Sequence, residues 1–95
     1  MSMKDAYVEK LKAKMDEWNA EIDKLKAKAD SVEADAKIEY LEQIDHLRKE
    51  QLEAAEKLNE LQNASETAWE DLKAGVESSW DSLESAMKKA VSRFG

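Results

Sequence analysis

The sequence has no cysteine, no proline, only two glycines and a single histidine in 95 residues. Each scarcity removes a class of chemistry. Without cysteine there is no disulfide, no thiolate nucleophile and no thiolate metal site. One histidine leaves Ser–His–Asp as the only formal catalytic triad, and neither a Gly-x-Ser-x-Gly elbow nor a Gly-rich phosphate loop occurs. The expectation is therefore a protein that is not an enzyme and needs no cofactor. No apolar run approaches the roughly 18 residues of a membrane span, and the opening MSMKDAYVEK has no apolar signal core. A cytoplasmic location follows as the expectation. Basic residues are outnumbered, 15 against 22 acidic for a net charge of −7. Nucleic acid is thus an improbable partner, because phosphate binding needs a basic surface that releases counterions.

What is abundant is Ala, Glu, Lys and Leu in helical periodicity, the makeup of a long helix or coiled coil. Three tryptophans and regularly spaced Leu, Ile and Val argue against disorder. From Val8 a seam runs through Leu11, Met15, Trp18, Ile22, Leu25, Ala29, Val32 and Ala36 with alternating spacings of three and four. The phase slips by one four-residue step between Tyr40 and Ile44, a stutter that relaxes a supercoil without ending the helix. It resumes at Ile44, Leu47, Gln51, Ala54, Leu58, Leu61, Ser65 and Ala68. Gln51 and Ser65, polar residues in the seam, are candidates for fixing register. Ser2 to Asp5 reads as an N-terminal capping box, and Glu33–Lys37, Asp45–Lys49 and Glu53–Lys57 are acid-before-base pairs four residues apart.

Nothing between Met3 and Gln62 is a strong helix breaker, whereas Gln62–Thr67 reads QNASET, the best candidate for an interruption. The spacing predicts helices over about 3–62 and 66–94 with a break at about 63–65. A weaker break lies at Asp30–Ser31, where the heptad phase continues unbroken. In the second helix Trp69, Trp80 and Val91 recur at eleven residues, as do Leu72, Leu83 and Phe94, and Val76 and Met87. An eleven-residue repeat keeps a stripe nearly parallel to the helix axis. This apolar face predicts packing against a neighbouring helix, and Gly75 suggests close approach there. The basic Lys88, Lys89 and Arg93 suit the negative end of the helix, before Gly95.

The expected fold is all-α: a long helix and a shorter one in a helical hairpin or coiled coil. A helix of about 29 residues reaches roughly 44 Å and covers only half of its longer partner. Val8, Leu11, Met15, Trp18, Ile22 and Leu25 would then face water, so dimerisation is expected to complete the core. The alternative is a three-helix bundle monomer that turns at Asp30–Ser31. The functional expectation is a self-associating structural or interaction protein, with its own copy or another amphipathic helix as partner. Its alternative is peripheral binding of a membrane surface through the helix at 66–94. A further candidate is a metal site of Glu42, His46 and Glu50, four residues apart on one face, though Gln43 breaks the Glu-x-x-His pattern of di-iron bundles.

Three segments, YVEKLKAKMDEWNAEIDKLKAKAD, EADAKIEYLEQIDHLRKEQ and AWEDLKAGVESSWDSLESAMKKAVSRF, cover nearly the whole chain. In them the chain resembles a family of small bacterial coiled-coil proteins described as stress-response proteins. The paired tryptophans and the closing Ser-Arg-Phe carry most of that likeness. It implies a soluble, non-enzymatic role under stress and transfers no functional residue.

Overall fold

The computed structural model describes residues 2–94, so Gly95 lies outside the described residues. Three helices follow one another: α1 Met3–Ala29, α2 Ala34–Gln62 and α3 Trp69–Phe94. They form a rod of 51 × 20 × 18 Å. α1 and α3 run parallel, since Tyr7 meets Trp69, Trp18 meets Trp80, and Lys28 reaches the last carbonyl of α3 at Phe94. α2 runs against both: Arg48 in its middle bonds Asn19 and Asp23, and Lys4 reaches its far end at Gln62. The topology is up, down, up.

The long helix expected over 3–62 is corrected by this structure. The chain turns at residues 30–33, and the three-helix arrangement is the one observed. Asp30 ends α1, Ser31 donates both its N–H and its hydroxyl to the carbonyl of Lys28, and Glu33 begins α2 without a side-chain cap. Burial explains why a sequence with no strong breaker bends here. Folding α1 back puts Val8, Leu11, Trp18, Ile22 and Leu25 into the core, each at most 6% exposed, with Met15 half-buried. At about 1.5–3 kcal/mol per buried side chain, this gain far exceeds the loss of a few backbone bonds at a surface turn. The seam that was expected to face water is thereby covered within one chain.

The second break falls where it was expected but extends further, through residues 63–68, so α3 begins at Trp69 rather than 66. Ser65, counted in the seam, is exposed; its hydroxyl accepts from the N–H of Ala68 and its carbonyl from that of Trp69. Ser65 shapes a turn and leaves register to others. At the opposite end Ser2 accepts from the N–H of Asp5, as the capping box requires. Asp45–Lys49 closes at 3.1 Å, while Lys37 reaches Asp30 across the turn at 3.5 Å.

α3 does not keep the eleven-residue stripe. Its inward residues Trp69, Val76, Trp80, Leu83, Met87 and Ala90, followed by half-buried Phe94, keep heptad spacing, with buried Ala86 beside them. Ala90 is 1% exposed whereas Val91 is 41% exposed, and Leu72 also reaches the surface. On a 3.5-residue period each eleven-residue step overshoots by about 50°, so after two steps the Trp69 column has left the core. The vacant heptad place falls to Lys73, whose ammonium lies over the rings of Tyr7 and Trp69 at 5.1 and 5.8 Å. Gly75 is exposed, and a methyl group added to it would meet nothing within 4 Å, so it does not serve close helix approach.

Candidate functional site

The six residues expected to form an oligomer seam define the surface by which α1 lies on the α2–α3 hairpin. α2 and α3 pack along their length and α1 rests chiefly on α2, approaching the backbone of α3 in few places. The indole rings explain the spacing. Trp18 and Trp80 meet with centroids 5.2 Å apart and planes tilted by 41°, and Tyr7 meets Trp69 at 5.9 Å. Two layers of aromatic rings hold α1 and α3 apart. They leave an open groove of about 610 Å³ floored by Trp18, Met87 and Val91 and edged by Lys14, Glu21 and Glu84.

Directional bonds set the register of α1 in this seat. On the α2 side Arg48 donates to Asn19 at 2.7 Å and to Asp23 at 3.0 Å, while Gln51 donates to Asn19 at 3.1 Å and accepts from Arg48 at 3.2 Å. The polar seam residue Gln51 thus sits half-buried in a network that ties one height of α1 to one height of α2. At the ends α1 supplies cations to the other helices' C-termini. Lys4 donates to the carbonyls of Gln62 and Ala64 at the end of α2, which has no basic residue in its own last turn. Lys28 donates to the carbonyl of Phe94 at 2.8 Å, a group that also accepts from Tyr40. Both C-terminal dipoles therefore face an ammonium from α1.

The seat perturbs Tyr7. Burial pushes its phenol up to about 12, and the negative charge of Glu77, which accepts its hydroxyl at 3.4 Å, acts in the same direction.

A second, polar cleft of about 590 Å³ lies between α2 and α3, where Gln43, His46 and Glu50 face Asp81, Ser82 and Ser85. His46 Nε2 is 3.3 Å from Glu50 Oε1, and Glu50 Oε2 is buried without a hydrogen-bond partner among the described residues. Glu42 lies outside this cleft on the exposed surface. Among the described residues no three His, Asp or Glu side chains converge closely enough to hold a metal ion.

The predicted apolar face of the last helix is brought into the core at Trp69, Val76, Trp80, Leu83 and Met87, partly at Phe94, and not at Leu72 or Val91. Sequence reasoning missed the cross-helix roles of Lys4, Lys28, Arg48 and Lys73, which periodicity treats as solvated surface. No described helix is long and apolar enough to cross a membrane. No protein-family model, curated protein or solved structure matches the chain.

Proposed function

We propose that this all-helical protein is a non-enzymatic interaction protein that recognises an amphipathic helix in the groove of its α2–α3 hairpin. Within one chain α1 fills that groove. Between chains the same seat suits the α1 of a second copy, or another helix carrying the same pattern of apolar and basic residues. The mode is helix-in-groove recognition, with anchors at Val8, Leu11, Met15, Trp18, Ile22 and Leu25. The observation that supports it best is the makeup of the seat. Six seam side chains provide its apolar contact, and its polar bonds gather at Arg48, Gln51, Lys4 and Lys28. A cytoplasmic setting and a role under stress, taken from the resemblance to small bacterial coiled-coil stress-response proteins, belong to the same proposal.

Peripheral membrane binding by α3 requires Trp69 and Trp80, 5% and 7% exposed, to leave the core. The structure gives that face a helix to lie against, which favours the helical partner. Sedimentation equilibrium from low to high micromolar concentration tests the reading. The expected result is a mass rising from one chain toward two; one constant mass throughout rejects self-association. Abundance in source cells before and after heat, salt or oxidative stress tests the setting, where unchanged abundance rejects it.

A further inference from the structure

We infer that the second copy enters by exchange of α1: the turn at residues 30–33 straightens, and two chains form a dimer in which each α1 occupies the other's seat. This rests on the self-association proposed above and names its surface and geometry.

The turn is built to allow it. It contains no glycine and no proline, and no described residue has a positive φ. Asp30 is already helical at φ −70°, ψ −19°, and Glu33 has a helical φ of −64°, leaving ψ at 157° as the departure. Rotation about that bond, with Ser31 and Val32 taking helical angles, joins α1 to α2. Straightening gives up the two bonds from Ser31 to the Lys28 carbonyl. In exchange, the first N–H groups of α2, for which Glu33 provides no side-chain cap, gain the carbonyls of Asp30, Ser31 and Val32.

The seam also runs on past the turn. Leu25, Ala29, Val32 and Ala36 continue a three-four spacing through the turn, and the four-residue slip at Tyr40 turns the apolar face of α2 by about 50° from that of α1 on one straight helix. That helix, residues 3–62, is about 90 Å long, against 51 Å for the closed rod. The pairing of Arg48 with Asn19 and Asp23 sets the register of two such helices side by side and antiparallel, with the two-fold close to Ala34. Each contact of α1 with α2 and α3, the Trp18–Trp80 pair and both lysine caps included, is then remade between chains. The ion pair of Asp30 with Lys37 becomes intermolecular as well. New contact arises only beside the two-fold, where Val32 of one chain comes opposite Ala36 of the other. Exchange of identical elements through a hinge is a low-cost route to a symmetric dimer, because the core is the same before and after.

Sedimentation equilibrium and small-angle scattering on the full chain, Glu33→Pro and a Ser31→Ala/Glu33→Ala double variant test this. Proline accepts the φ of Glu33 in the turn but breaks a helix running through it, so dimerisation weakens by roughly a hundredfold or more with helix content by circular dichroism unchanged. The double variant favours the straight helix and removes the Ser31 hydroxyl, so dimerisation tightens by about tenfold, with a maximum dimension above 90 Å. Equal dimerisation of the native chain and Glu33→Pro overturns the exchange while leaving self-association standing, with closed rods as the associating units. A double variant that is no more dimeric than the native chain overturns the exchange even if Glu33→Pro fails to fold. A native chain of constant mass overturns self-association itself.

Discussion

Trp18 of α1 and Trp80 of α3 pack ring against ring at 5.2 Å, the point where the first and last helices of the bundle meet. Both are nearly buried, at 5% and 7% exposure, and together they keep α1 seated on α3 while holding the two backbones apart. Removing one indole leaves a cavity that neither backbone can close without sliding past the other layer at Tyr7–Trp69. Trp18→Ala is therefore expected to cost about 3–5 kcal/mol, a large part of the 5–15 kcal/mol typical of a domain. Urea titration followed by circular dichroism measures it; a loss below about 1 kcal/mol contradicts the packing role.

Gly75 lies mid-helix on the exposed side of α3 with open space around its Cα. Its cost is the backbone freedom lost on helix formation, with no packing gain to offset it. Gly75→Ala is expected to stabilise the protein by about 1 kcal/mol. A higher thermal midpoint checks this, whereas a lower one would reveal a neighbour at that position.

Lys4 lies 2.7 Å from the Ala64 carbonyl and 3.2 Å from that of Gln62, closing the end of α2 from the first turn of α1. Lys4→Met keeps the aliphatic stem and removes the charge. The expected loss is about 1 kcal/mol, with protection of the last α2 amides falling first. Hydrogen exchange at residues 58–64 locates the effect; uniform loss over all three helices argues against a local cap.

Tyr7 predicts an alkaline limb. Its phenol titrates at about 12 in the folded chain against 10.0 unfolded, so folding favours the protonated form. That stabilisation is complete below pH 10 and is lost as pH rises through about 12, where folded Tyr7 also ionises. The informative quantity is the difference from Tyr7→Phe, which isolates the phenol. The variant's stability should fall less steeply between pH 10 and 12. Parallel curves for the two proteins reject the assignment.

The seam from Val8 to Ala29 and the run from Ile44 to Leu61 were legible because burial on one helical face leaves a three-four spacing. The core uses those residues nearly as read. The turn at residues 30–33 was not legible, for a stated reason. A heptad phase that continues through it suits a straight helix and a folded-back one equally, and no residue there forces either. Val91 was misplaced because eleven-residue columns and heptad columns coincide over one repeat and separate only after two. Lys4, Lys28, Arg48 and Lys73 were unreadable as contacts, since a long cation on a helix surface shows nothing of which neighbour it meets.

Alone, the sequence determined that the chain is helical, which face of α1 and of most of α2 is apolar, and that the chain is interrupted at QNASET. These are local consequences of propensity, periodicity and capping. Only the tertiary structure decided whether the seam closes on its own chain, because that turns on which arrangement covers the most apolar surface. It covers the seam by placing α1 in the groove of α2 and α3, with two pairs of aromatic rings setting the distance.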